Sequence, residues 1–435
     1  MYKSFKIYMS KTLAIYGGPK LRKDKMPNRE AFGPLEVKKL EQAIKYYRSR
    51  KIDPPYSGVF ENELCKKFSN YMGGGYSDAV TSGTAGIYTS LQALRLKKDS
   101  EVLITAVTDS GPLNCIIQLG LKAKIVDTSI HSYNSCFGNF LKAITNKTKC
   151  VIATHAAGEP VHGIDKLYKY LKKRKIFLIE DCSQSPSAEY LGKKVGLFSD
   201  IAVFSTMYRK TLHTGGNGGI VFTRNKNFYR MLLAAADKGK QAWRTDIDLR
   251  NPNFSIMPAL NFTTNDLSCA IGLASLERLN KTIKLRNNWI EKFIPYLKKT
   301  KTCYPYNFNK GFSIFFFPIF VRTDLINCSK QEFANALIAE GIGLQPHYGC
   351  VISDWKWARP FINDFKIAKN ASKTRDNSFN LFVNEKYGMK EIKDITNAII
   401  KVENFFLKKN NKIQLNNDLK LDCCGFKNGY CAYRK

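Results

Sequence analysis

Between residues 78 and 222, short apolar runs alternate with segments of helical spacing, and the links between them are brief. Residues 78–81, 102–104, 124–127, 151–155 and 176–181 read as strands. A turn at Ser82, Gly83 and Thr84 leads into a helix reaching Leu94, and helical spacing returns over 112–119 and 164–173. Strands separated by helices cannot pair as hairpins with their sequence neighbours. They assemble instead as a mostly parallel sheet with helices on both faces. Sheets of that kind take their ligands at the carboxyl ends of the strands. Ser82, His155, Asp181 and Ser205 all stand at such ends.

The flanks read differently. Residues 1–30 are basic and carry Gly17, Gly18, Pro19 and Pro27, the composition of an extended arm. Helices are expected over 34–50, where Leu35, Leu40, Ala43, Ile44 and Tyr47 fall at helical spacing, and over 59–72. A further helix is expected over 265–286, an apolar strand over 312–321, and helices over 330–340 and 390–408. The division that follows is an arm at 1–30, a large cofactor-binding domain at 31–284, a smaller α+β domain at 285–409 and a basic, Cys-bearing tail at 410–435. A chain of 435 residues, 44% of them apolar, is long enough to bury a core in each of two domains.

Composition narrows the partners. The net charge of +33 is spread along the chain among many Asn and Ile residues, with local runs over 169–175 and 408–412. No helix-turn-helix or RNA-binding signature accompanies it, so no nucleic-acid partner is expected. A positive field of this kind draws anionic substrates. The 12 cysteines include no C-x-x-C pair, and no metal site is expected; Cys423, Cys424 and Cys431 cluster in the tail. No apolar run approaches the roughly 18–20 residues of a bilayer span, and residues 1–13 hold no continuous apolar segment. A cytoplasmic protein without membrane contact is the expectation.

One lysine stands apart from the others. The apolar run 201–204 breaks into Ser205-Thr206-Met207-Tyr208-Arg209-Lys210, then Thr214-Gly215-Gly216-Asn217-Gly218-Gly219, and a second apolar run, 220–222, closes the loop. An amine held between two buried strands loses hydration, which lowers its pKa and makes it a nucleophile toward a carbonyl. Asp181 ends an apolar strand, where a carboxylate is costly unless a cation opposes it. Ser82, Gly83 and Thr84 open a helix and offer free N–H groups to an anion. Pyridoxal phosphate needs these three things: an amine for the Schiff base, a carboxylate at the pyridinium nitrogen, and a phosphate cradle.

Several segments together resemble the DegT/DnrJ/EryC1/StrS family of pyridoxal-phosphate-dependent sugar aminotransferases, over roughly residues 12–405. They are Thr81-Ser82-Gly83-Thr84-Ala85, His155-Ala156-Ala157-Gly158-Glu159-Pro160, Glu180-Asp181-Cys182-Ser183-Gln184, Ser205 with Lys210 five places on, and Asn261 before Asn265-Asp266-Leu267. Gly341-Ile342-Gly343 with His347-Tyr348 resembles the family's small domain. The resemblance implies a type I aspartate-aminotransferase-like α/β fold with a large, mostly parallel sheet domain and a smaller α+β C-terminal domain. It implies that Lys210 carries the cofactor and moves the Cα proton, that Asp181 pairs with the ring nitrogen, and that Gln184 packs near the ring. Gly83, Thr84 and Ser205 would hold the phosphate. Asn261 would reach the phosphate of a partner subunit, so a homodimer with shared active sites is implied. His155 matches a position lining the substrate pocket, with a core role as the alternative, and His347 is a second substrate-side candidate.

The implied activity is transfer of an amino group from glutamate or glutamine to a keto-sugar, probed against three alternatives: a sugar dehydratase, in which a histidine replaces the lysine, a cyclitol aminotransferase, and a non-catalytic regulator or nucleic-acid-binding protein of the same fold. Two departures mark a divergent branch. Asp109 falls where the family often has an aromatic over the cofactor ring. The stretch 214–219 is one residue longer than the family's Thr-Gly-Glu-Gly-Gly and lacks its acid.

Overall fold

The computed structural model describes residues 12–408 and the backbone of 426–427 and 430–431. The side chains of Cys423, Cys424 and Cys431 lie outside the described residues, as do residues 1–11.

Seven strands make the large sheet: β1 (Tyr76–Val80), β2 (Glu101–Thr105), β3 (Lys122–Val126), β4 (Thr148–Thr154), β5 (Phe177–Asp181), β6 (Ile201–Ser205) and β7 (Gly219–Thr223). Their order is β1-β7-β6-β5-β4-β2-β3, and β7 alone runs against its neighbours. The central strands are largely apolar because both faces are covered. Alternate residues serve opposite cores: Ile152 and Ile179 pack with Leu91 and Leu113, whereas Val151 and Leu178 pack with Leu167 and Leu171. The helices behind these contacts are α1 (Pro34–Arg50), α2 (Val59–Tyr71), α3 (Gly83–Ala93), α4 (Ser110–Gln118), α5 (Phe137–Ala143), α6 (Ile164–Lys173) and α7 (Lys226–Ala236). The α/β architecture expected from the alternation is the one observed.

Helix α8 (Asp266–Leu297) is 32 residues long, and Asn265 caps it by accepting from the Ser268 N–H at 2.9 Å. Its first turns, through Cys269, Ala270 and Leu273, pack under the large sheet, and its last turns, through Trp289, Ile290 and Phe293, enter a second core. It therefore passes unbroken through residue 285, where the change of sequence texture falls. The second core covers a four-stranded antiparallel sheet of β8 (Cys303–Pro305), β9 (Phe316–Val321), β10 (Leu344–Gln345) and β11 (Ser378–Phe382), in the order β8-β9-β11-β10. Helices α9 (Lys330–Ala339), α10 (Lys369–Asp376) and α11 (Met389–Phe406) complete this half.

Strand β9 begins at Phe316, four residues later than the apolar run. The reason is a contact across the molecule. The Ser313 N–H donates to the Gly158 carbonyl at 2.9 Å and the Phe315 N–H to that of Ala157, so this stretch is bonded to the turn after β4 rather than to its own sheet. Gly158, at φ +86°, makes the approach possible: a Cβ there would stand 1.9 Å from the Ser313 carbonyl oxygen. The N-terminal arm is also tied down. The Ala14 and Leu21 N–H groups both donate to the Glu340 carboxylate at 2.9 Å, Lys401 pairs with Glu340 at 2.8 Å, and Arg22 pairs with Glu391 at 3.0 Å. Among the described residues, no helix is long and apolar enough to cross a membrane.

Candidate active site

A cavity of about 720 Å³ opens at the carboxyl ends of β4, β5 and β6, between the large sheet and the small one. Its floor is built from strand ends and from the start of α3. Ser82 caps α3 by accepting from the Ala85 N–H at 3.0 Å, which leaves Gly83 and Thr84 at the first turn facing the cavity. Gly83 is needed for the close approach to β6: a Cβ there would lie 2.8 Å from the Ser205 Cβ. Ser205, at the end of β6, thus sits against the helix N-terminus, where dipole and free N–H groups favour an anion.

Lys210 is held in the loop after β6. The Thr206 N–H donates to Gly218 at 2.8 Å, Tyr208 to Gly216 at 2.7 Å, and Thr214 to Thr206 at 2.9 Å, closing the loop on itself. The glycine-rich turn serves this closure. A Cβ at Gly218 would stand 2.2 Å from the Thr214 hydroxyl and 2.4 Å from that of Thr206. The Lys210 side chain is 9% exposed, with Nζ 4.4 Å from the centre of the Phe315 ring. Burial lowers its pKa from the usual lysine value, while Asp181, Asp109 and Cys350 act in the opposite direction. Asp181, 5% exposed at the end of β5, accepts from the Ser183 N–H at 3.0 Å. Burial raises its pKa, and hydrogen bonds from Ser183 and the charge of Lys210 oppose the rise.

Gln184 lies on the cavity wall with its amide engaged. Its oxygen accepts from the Ala157 N–H at 2.8 Å, and its nitrogen donates to the Tyr348 hydroxyl at 3.1 Å. Asp109 caps α4, accepting from the Gly111 N–H at 3.0 Å, and lines the rim. Thr108 and Thr154 also line the cavity, and their buried hydroxyls have no hydrogen-bond partner among the described residues.

Three candidates stand elsewhere. His155 is fully buried: its Nε2 lies 3.1 Å from Glu180 and its Nδ1 accepts from the Val161 N–H at 2.8 Å. Glu180 also accepts from the Phe198 N–H at 2.9 Å. With Cys182 these two form the one group of potential metal ligands found among the described residues, but their polar atoms are spent on bracing the strand ends. The structure therefore corrects the substrate-side placement of His155. The same holds for His347, which stays outside the cavity near Lys330 and Arg375, while the next residue, Tyr348, lines it. Asn261 is exposed on the segment after α7, its amide oxygen accepting from the Thr263 N–H at 3.1 Å, and does not line the cavity of its own chain.

The cavity's upper wall comes from stretches far apart in the chain, and of its residues only Tyr348 lies in a segment marked by the sequence. Arg29 belongs to the arm, Arg286 to the middle of α8, Phe315 to the stretch bonded to Ala157, and Tyr348 and Cys350 to the loop after β10. Phe315 supplies an aromatic beside Lys210, although the stretch around Asp109 has none.

A doubly covered, mostly parallel sheet, a buried aspartate at one strand end, a desolvated lysine in the loop after the neighbouring strand, and a helix N-terminus beside them define an α/β protein built to hold an anionic ligand against an amine. The model of the DegT/DnrJ/EryC1/StrS aminotransferase family matches residues 37–400, and the chain belongs to that family. It is similar to a GDP-perosamine synthase of Escherichia coli O157:H7, 31% identical over 232 residues, which are 52% of this chain and 59% of that protein. It is also similar to a GDP-4-keto-6-deoxy-D-mannose 3-dehydratase of E. coli O55:H7, 27% identical over 55% of this chain and 66% of that one. The chain thus spans under two thirds of the length of these curated relatives. Among solved structures, an aminotransferase from Psychrobacter cryohalolentis superposes with a TM-score of 0.80 at 20% identity, covering 88% of this chain and all of that one, which establishes the shared fold.

Proposed function

We propose that this protein is a pyridoxal-phosphate-dependent aminotransferase that moves the amino group of glutamate or glutamine to a keto-sugar, nucleotide-linked, in the cytoplasm. The observation that carries the reading is the placement of Asp181 at the end of β5 and of Lys210 in the loop after the adjacent parallel strand β6, with both lining one cavity beside the first turn of α3. The residues present fit the cofactor. The cradle at Gly83, Thr84 and Ser205 suits its phosphate, Asp181 its ring nitrogen, and the unpartnered hydroxyls of Thr108 and Thr154 offer further polar contacts. When bound, pyridoxal phosphate supplies an electron sink next to the reacting carbon. Lys210, with its amine partly stripped of hydration, takes the proton from the donor's Cα and returns it one position away. Asp181 would hold the ring nitrogen and oppose its positive charge. Phe315 and the arm close the upper side and exclude water.

The exposed Asn261 supports a homodimer in which it meets the phosphate held by the partner, so that each site is shared. Similarity to the 3-dehydratase supports a second reading, dehydration of the sugar. Lys210 opposes it, because the dehydratases implied by the family carry a histidine in that place. His213, three residues on, is turned to Arg278 at 3.0 Å rather than to the cavity. The reading is tested by the absorbance of the purified protein with pyridoxal phosphate, titrated with glutamate, glutamine and keto-sugars. Bleaching of the lysine-bound band by a donor, and its return with a keto-sugar, is the expected result. No such band, or turnover that persists in Lys210→Ala, overturns the reading.

A further inference from the structure

Three arginines and two carboxylates meet beneath the upper wall of the cavity, and their charges do not cancel. Arg278 pairs with Glu36. Arg286 pairs with Glu385 through Nη2 at 2.9 Å and Nε at 3.2 Å, both onto one carboxylate oxygen. The other oxygen of Glu385 accepts from the Glu30 N–H at 3.2 Å. Both carboxylates are therefore taken. Arg29 lies beside them, lines the cavity, and among the described residues has no ion-pair partner. Its Nη1 donates to two carbonyls, Lys210 at 2.8 Å and Tyr208 at 3.0 Å, and its Nε is buried without a partner. Carbonyl groups neutralise no charge. Burial, and after it the charge of Arg286, lower the Arg29 pKa to about 10, with Glu385 and Glu36 acting in the opposite direction.

Its attachment points select the anion. Arg29 is fastened to the backbone of Lys210 itself, the residue whose amine must meet the donor's Cα under the transamination reading, on which this inference rests. A donor amino acid carries a carboxylate one bond from that carbon, and glutamate carries a second. A guanidinium offers the planar fork that matches a carboxylate, which an ammonium does not. We propose that Arg29, supplied by the N-terminal arm, receives a carboxylate of the amino donor and so sets the specificity for an acidic donor. The arm is then part of the site. Asn384, whose Nδ2 donates to the Pro27 carbonyl at 2.8 Å, fixes its path over the cavity.

Glutarate, a dicarboxylate without an amine, is the probe. The full chain loaded with pyridoxal phosphate is titrated with glutarate and, separately, with GDP, by calorimetry, for wild type, Arg29→Gln and Arg29→Lys. Glutarate affinity is expected to fall about tenfold or more in Arg29→Gln and less in Arg29→Lys. GDP affinity stays within about twofold, and the absorbance of the lysine-bound cofactor and its pH titration stay unchanged. The proposal is overturned if wild type does not bind glutarate, if Arg29→Gln binds it equally well, or if GDP affinity falls in parallel. A shifted cofactor titration also overturns it, since Arg29 would then act by shaping the Lys210 loop. Should wild type show no cofactor band, the aminotransferase reading fails. The glutarate titration of the cofactor-free chain still decides the role of Arg29.

Discussion

The floor and the upper wall of the cavity are made in different ways. The floor is local. Thr154, Asp181 and Ser205 end three neighbouring strands, and Gly83 and Thr84 begin the helix that follows β1. Backbone pairing sets their spacing, so little can move without breaking the sheet. The upper wall is gathered from distant stretches: the arm at Arg29, α8 at Arg286, the crossing segment at Phe315, and the loop at Tyr348 and Cys350. It is held by isolated backbone and side-chain hydrogen bonds and ion pairs between those stretches, which contribute about 1 kcal/mol each. Under the proposed reading, the chemistry sits on the side set by backbone pairing, and recognition on the side gathered from loops and the arm.

The sharpest break in this comparison is Lys210→Ala. It should cut turnover at least ~1,000-fold while leaving the melting temperature near or above that of wild type, since it removes a desolvated amine; calorimetry beside an activity assay reads both. Next comes Gly83→Ala. Its Cβ would press on Ser205, and α3 and β6 are too firmly paired to separate freely. A loss of about 1–3 kcal/mol in denaturant unfolding is expected, with weaker retention of pyridoxal phosphate.

The third test concerns the joint between the two walls. Burial, then the charges of Arg29 and Arg278, hold the His213 imidazole at a pKa of about 3, against 6.5 in the unfolded chain. Between those values the unfolded chain binds a proton that the folded one refuses, so this contribution to stability is complete above pH 6.5 and is lost as the pH falls. His213→Gln should flatten the decline in melting temperature between pH 7 and pH 4 relative to wild type. Tyr348→Phe is the smallest expected effect. It removes the hydroxyl that accepts from Gln184. A change of about 0.5–1.5 kcal/mol in urea unfolding follows, with an altered KM for the substrates and little change in kcat. An effect as large as that of Gly83→Ala would erase the distinction between the walls.

The floor was legible in the chain because each of its residues punctuates an apolar run. Asp181 closes one strand, Ser205 another, and the Ser82–Thr84 turn opens a helix. His155 shows where this reasoning stops: a polar residue at a strand end can turn either way, and here Glu180 and the Val161 N–H draw it into the core. His347 and Tyr348 differ in the same manner, neighbours in sequence with only one of them at the cavity. Arg29 was one basic residue among many, and Phe315 was hidden in an aromatic stretch that reads as one strand from 312. What distinguishes them is a bond to a segment more than 150 residues away, Arg29 to Lys210 and Phe315 to Ala157.

Periodicity and apolar runs sufficed for the class of sheet and for setting the lysine apart, because strand and helix patterns depend on near neighbours; the family came from the resemblance of a few ordered motifs. Which side chains enclose that lysine was decided only by the tertiary structure. The enclosing groups owe their positions to long-range packing around α8 and to the path of the arm, and their pKa values to burial and counter-charges that exist only once those segments meet.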